Sequence, residues 1–325
     1  MKPFQYAAPK TLREATGLLE DRWGVAEVLA GGTDLITSLK QHIVAPNRLV
    51  SLRNVPELKG IRAESRRIRI GAMTTLAELV ENASIKEHFP SLVTAANGVG
   101  SPQLMSVGTV GGDLCQRPRC WFYRNGLGLL AMRDGKSLAR DGDNRYHAIF
   151  GNDGAALFVN PSSFGPALIA LGATLTVAGN AGRTREVTAD KFFQTPRTDN
   201  DRETALRPNE ILTGIVLPLG GLKNATYEVR HRHGLDWPYV TATVAFQLQD
   251  GRASDARVVL GHVAPVPWSS ASAGNALNGA TVNDATAVKC GAAAAEGANP
   301  LSHNSYKVQM VKTAVKRAVL AAGKA

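Results

Sequence analysis

Hydrophobic positions along this chain change period several times, and each change marks an element. Thr11-Leu12-Arg13-Glu14 has the layout of a capping box, and Ala15, Leu18 and Leu19 follow it as the apolar stripe of a helix. Ala26 to Ala30 reads as a short buried strand that stops at Gly31-Gly32, after which Thr33 and Asp34 can cap a second helix running through Lys40. Arg48 to Leu52 has strand composition, and Arg67-Ile68-Arg69-Ile70 alternates with period two. A second capping box, Thr75-Leu76-Ala77-Glu78, opens a helix to about Val80, and another helix is predicted over 91–98. Gly108 to Asp113 reads as a second glycine-rich turn. Helix is predicted over 164–173, then strand at 174–177 and 210–217, the last stopped by Pro218.

Past Gly220-Gly221 the pattern becomes antiparallel: 226–229, 239–248 and 256–260 read as strands, before an alanine-rich stretch and a helix over 307–320. In that helix Val308, Val311, Val315 and Val319 share a face and Lys312 and Lys316 lie off it. The chain therefore divides into residues 1–55, 56–220 and 221–325, with a long irregular loop at 117–155. A loop of that length inside a compact domain is functional or is packed against a partner.

Composition narrows the class. With 44% hydrophobic and 20% charged residues the chain has enough apolar surface for packed domains, so wholesale disorder is excluded. No apolar run approaches the roughly 20 residues of a bilayer span, and the N-terminal Met1-Lys2-Pro3-Phe4-Gln5-Tyr6 has no apolar stretch of a secretion signal. Three cysteines, Cys115, Cys120 and Cys290, cannot build a disulfide framework and suit a reducing compartment. A cytoplasmic location is expected, with export as a passenger on a partner subunit still open. The net charge of +10 is spread along the chain without an aromatic-interleaved basic motif, which argues against nucleic acid and fits acidic partners or an anionic cofactor.

The two glycine pairs carry the chemistry. A pyrophosphate needs closely spaced backbone amides, and glycine lets the chain approach without a Cβ in the way. Strand, Gly31-Gly32 and helix follow one another in the order such a site requires, and Thr109-Val110-Gly111-Gly112-Asp113 offers a second cradle. Each pair alone is also what a plain tight turn looks like, and no G-x-G-x-x-G follows a predicted strand.

Taken in register, a longer set of motifs resembles the FAD-binding (medium) subunits of the xanthine dehydrogenase and aldehyde oxidoreductase class of molybdenum hydroxylases. The resemblance runs through Phe4-Gln5-Tyr6, Ala30 to Leu35, Ile70 to Leu76, Thr109 to Gly112, Asn160-Pro161-Ser162, Glu210-Ile211-Leu212, Gly261 to Pro265 and Tyr306-Lys307, and so covers essentially the whole chain. It implies an α+β fold: two FAD-binding subdomains of the vanillyl-alcohol oxidase type, then a C-terminal α+β domain with a small antiparallel sheet and helices. FAD is the implied cofactor. Val28, Leu29, Ala30, Gly31, Gly32, Thr33, Asp34 and Leu35 would wrap its pyrophosphate, Thr109, Gly111, Gly112 and Asp113 would hold it from the opposite side, and Leu212 would lie near the flavin. No catalytic acid or base and no resident metal is implied, because the redox chemistry belongs to the cofactor. The implied partners are a molybdenum-cofactor large subunit and a [2Fe-2S] small subunit, with electrons passing through FAD to an external acceptor during aldehyde or N-heterocycle oxidation.

Several positions depart from the family pattern. Asp113 stands where an Asn is usual, placing a negative charge by the second cradle, and Met105-Ser106 replace an Arg-Asn pair. Ser163 stands for an Asp that contacts FAD, and Glu228 for a Lys, a change expected to alter flavin potential or the oxidant site. Cys120 matches the first ligand of a [4Fe-4S] cluster found in some relatives, but 126–156 contains no Cys, so no cluster is expected. His231-Arg232-His233 lacks a third metal ligand and reads as surface. Arg117, Arg119, Arg124 and Arg133 can serve phosphate or a docking surface, and Trp121, Phe122 and Tyr123 read as core or interface. Two rivals stay open: a stand-alone oxidase, for which the chain lacks a substrate domain, and a cofactor-free scaffold or basic binding protein on an eroded flavin fold.

Overall fold

In the computed structural model, residues 1–232 and 236–324 are described. A three-stranded parallel sheet opens the chain, in the order Gln5–Ala7, Arg48–Ser51, Ala26–Leu29. Its edge strand Gln5–Ala7 is short and exposed, so it shows no hydrophobic alternation in the sequence. Ala26–Leu29 is not the buried strand its composition suggests. Only Ala26 is buried, and Glu27 and Val28 border an open cleft.

A five-stranded antiparallel sheet follows, ordered Ile61–Ala63, Arg67–Gly71, Ile211–Pro218, Thr174–Ala178, Thr184–Thr188. Its core gathers Ile68, Ile70, Leu175, Val177, Ile215 and Leu217 under the helices Leu76–Glu81, Pro90–Asn97 and Phe164–Ala170. Thr75 and Glu78 form a complete capping box. At the first helix the box is half made: Thr11 accepts from the Glu14 amide, but the Glu14 carboxylate takes the Lys10 amide instead of that of Thr11.

The third sheet is antiparallel, Lys223–Val229, Val240–Gln249, Arg252–Gly261 and Trp268–Ser269, covered by the helices Ala271–Leu277, Asp284–Ala294 and Tyr306–Ala322. On the last helix Val311, Val315 and Val319 are buried, as the stripe predicts, and Val308 is partly so. Lys307 is buried too, at 1% exposure. Its ammonium donates to the carbonyls of Tyr146, His147 and His262, clamping the long loop to the third sheet, and burial pushes it down to about 7. That loop is mostly irregular, with a helical turn at Trp121–Arg124 and a short hairpin, Met132–Arg133 with Lys136–Ser137.

Candidate functional site

A cleft lies between the first and second sheets, and Val28, Ala30, Gly31, Gly32, Thr33, Asp34, Leu35, Thr109, Gly111, Gly112 and Leu212 all line it. Leu29 sits behind this wall, its side chain against Gly32. A β-bulge between Leu212 and Gly214 turns the strand at the cleft's edge, and Leu212 is itself only 4% exposed. Asp113 and Ser163 line a neighbouring cavity, which meets the cleft at Thr33, Asp34, Thr109, Gly112 and Gln116.

The first glycine pair has the free amides that an anion needs. Among the described residues, the N–H groups of Gly31, Gly32, Thr33, Asp34 and Leu35 donate to no protein acceptor. Gly32 has φ +80°, which only glycine adopts without strain. At Gly31 a Cβ would fall on the Val107 carbonyl oxygen, so the two subdomains touch backbone to backbone there.

The second pair is different, and the expected second amide cradle is corrected. Gly111 and Gly112 lie in the first turn of the helix Val110–Cys115, not in a turn between elements. The Val110 amide donates to the Thr74 carbonyl at 3.0 Å, that of Gly111 to Ala72 at 2.9 Å, and that of Gly112 to the Thr109 hydroxyl oxygen at 3.0 Å. What this segment presents to the cleft is the Thr109 hydroxyl and the bare Cα surface of the glycines. Gly111 is required by close packing, since a Cβ there would meet the Ala72 carbonyl oxygen at 2.8 Å.

Asp113 does not place its charge on the cleft. Its carboxylate accepts from the Ser162 hydroxyl at 2.5 Å, the Phe164 amide at 3.1 Å, the Ser163 amide at 3.4 Å and the Gln116 side-chain amide at 2.9 Å. Ser163 makes no side-chain cap on the helix Phe164–Ala170, so Asp113 caps that helix from another element. Burial raises the Asp113 carboxyl to about 6, against these hydrogen bonds, which lower it. Glu228 also turns away from the cleft. It pairs with Arg230, which lines the neighbouring cavity. Burial pushes the Glu228 carboxyl up to about 7, with Arg230 opposing. Met105 packs into the core and the Ser106 hydroxyl donates to the Gln103 carbonyl.

Asp34 is not a side-chain cap. Its carboxylate accepts the Arg117 amide and the guanidinium groups of Arg119 and Arg124, each at 2.8 Å. Arg117 reaches Glu203 at 2.8 Å, so Arg117, Arg119 and Arg124 are held by carboxylates of this chain, while Arg133 is exposed. Tyr123 is core; Trp121 and Phe122 are partly buried.

Trp23, Glu27, Arg202 and Glu203 also line the cleft, unannounced by any local pattern. Arg202 bonds Glu27 at 2.9 Å and lies 4.5 Å over the Trp23 ring. Burial lifts Glu27 to about 7. Cys115 lines the cleft with its thiol pushed up to about 12 by burial, Cys120 lies 3.3 Å from a His147 ring nitrogen, and Cys290 is in the C-terminal core. His231 is exposed, and His233 lies outside the described residues.

Residues 2–220 match the family described as the FAD binding domain in molybdopterin dehydrogenase, and 225–322 the CO dehydrogenase flavoprotein C-terminal domain. The chain is 30% identical over 316 residues to the aldehyde oxidoreductase FAD-binding subunit PaoB of Escherichia coli, covering 96% of each. It is 30% identical over 324 residues to the carbon monoxide dehydrogenase medium chain of Hydrogenophaga pseudoflava, covering 98% of this chain and 96% of that one. Among solved structures it overlays on the carbon monoxide dehydrogenase from Hydrogenophaga pseudoflava with a TM-score of 0.77 at 27% identity, across 99% of this chain and 98% of that one. It overlays on quinoline 2-oxidoreductase from Pseudomonas putida 86 with a TM-score of 0.77 at 25% identity, across 100% and 99%. With its fold, its run of free amides and these matches in agreement, the chain belongs to the family of FAD-binding subunits of molybdenum hydroxylases.

Proposed function

We propose that this chain is the electron-transfer subunit of a molybdenum hydroxylase complex, holding FAD in the cleft and the cavity that joins it. The carrying observation is the run of five unpaired amides from Gly31 to Leu35 along the cleft wall, with Thr33 and Asp34 at that junction. They supply fixed donors for a pyrophosphate without a side-chain cation, and Arg117, Arg119 and Arg124 stay with their carboxylates. Thr109 lines the same junction, and Gly112 leaves room there because it has no side chain. Leu212, Ala72 and Met73 give an apolar wall suited to an isoalloxazine ring, which when bound accepts and returns electrons.

The partners that fit are a molybdenum-cofactor subunit, which oxidises substrate, and a [2Fe-2S] subunit, which relays electrons here. No described helix is long and apolar enough to cross a membrane. We place the complex in the cytoplasm, which fractionation of cells would test. The functional test is reconstitution of the three subunits with FAD. Addition of an oxidisable aldehyde or N-heterocycle should bleach the flavin of this chain only when both partners are present. Flavin that stays oxidised in a complex whose iron–sulfur centres are reduced would contradict the proposal.

A further inference from the structure

A separate cavity of about 540 Å³ lies between the long loop and the third sheet, a size that accommodates a small organic ligand. We propose that it binds a planar aromatic carboxylate of one or two rings. The walls are aromatic and already ordered. Trp121 and Tyr146 meet edge to face with centroids 5.3 Å apart, and Tyr146 stacks on Tyr239 at 5.6 Å. Phe158 and Val159 complete an apolar lining, and Trp237 is held by the Arg119 guanidinium, 4.6 Å over its ring. Tyr146 is 44% and Trp237 43% exposed, so the cavity opens to solvent beside them.

The polar groups select the ligand's charge. Asp236 is the only acidic side chain among the described lining residues, and Arg232 already holds it at 3.1 Å. Arg119 has its carboxylate partner, Asp34, outside this cavity, and the buried Lys307 has none, its ammonium being met by three carbonyls. A cationic ligand would meet these charges and would find the outer ring faces taken, since Arg145 lies 5.8 Å over Trp121 and 5.9 Å over Tyr146. A neutral ring would fill the volume and leave the Lys307 charge without a counter-charge. A carboxylate supplies one in a site of low dielectric, where charge–charge attraction is strongest. The cavity touches the one beside the FAD cleft at Arg119, Asp236, Trp237 and Pro238, so ligand and cofactor are neighbours at separate sites.

The test is calorimetric titration of the FAD-loaded chain with 2-naphthoate and with its uncharged amide. We expect saturable binding of one naphthoate per chain, roughly tenfold or more tighter than the amide. Val159→Trp, which fills the cavity, should abolish naphthoate binding at unchanged flavin content. If that variant does not fold, Trp121→Ala, which removes a wall, should weaken binding roughly tenfold. No saturable binding, equal affinity for acid and amide, or unchanged affinity in a folded variant would overturn the proposal. So would binding seen only with FAD-free chain, which would assign the cavity to the cofactor itself. Visible flavin absorbance reports FAD retention separately, so failure of this site is distinguishable from failure of the cofactor reading.

Discussion

Gly31-Gly32 and Gly111-Gly112 are the same dipeptide facing the same cleft, yet they do different physical work. The first pair ends a parallel strand, uses a left-handed residue, and leaves a run of amides without acceptors. The second lies inside a helix whose opening amides are consumed by Thr74, Ala72 and Thr109. One pair offers donors; the other permits approach. A glycine pair read from sequence signals only that a Cβ is unwelcome, and the acceptors around it decide which use it serves.

The largest expected effect is at Gly31. Valine there should expel FAD and also cost about 3 kcal/mol or more of stability, because the obstacle is the rigid Val107 carbonyl. Flavin content and denaturant unfolding check both, and a stable, flavin-free Gly31→Val protein would show that the contact between subdomains is dispensable. Next is Asp113→Asn. The folded-state carboxyl titrates near 6, above its ordinary value of 3.8, so the folded chain binds more protons in between. Stability from this group is therefore present at low pH and falls as pH rises from about 4 to 6, by on the order of 3 kcal/mol. The Asn variant should lack that slope in pH-dependent unfolding; an unchanged slope would remove Asp113 from the account.

Thr109→Ala should be milder. It loses the bond to the Gly112 amide, about 1 kcal/mol of helix capping, and weakens FAD severalfold by loss of the hydroxyl. Thr33→Ala should be the smallest, within about 0.5 kcal/mol and with FAD affinity unchanged, because Thr33 serves through its backbone amide and makes no side-chain bond. A large FAD loss in Thr33→Ala would transfer the role from main chain to side chain. It would narrow the contrast between the two glycine pairs.

Much of this was legible in sequence wherever the cause was local. The Thr75–Glu78 box, the alternation at Arg67–Ile70 and the valine stripe of the last helix each depend on neighbours a few residues away. The strands Ile61–Ala63 and Thr184–Thr188 escaped because they are short edge strands with little burial to pattern them. Asp34 looked like a helix cap until three partners from the long loop claimed it. Glu27 and Arg202 are joined across 175 residues, a pairing that spacing along the chain does not encode. The burial of Lys307 depends on three carbonyls far along the chain, two from the loop and one just past the third sheet's strand Arg252–Gly261.

The most direct test of the central claim is the cofactor content of the purified chain after refolding with excess FAD. The free amides at Gly31–Leu35 predict a yellow protein that releases about one FAD per chain on denaturation. A folded, colourless, nucleotide-free chain would contradict the account.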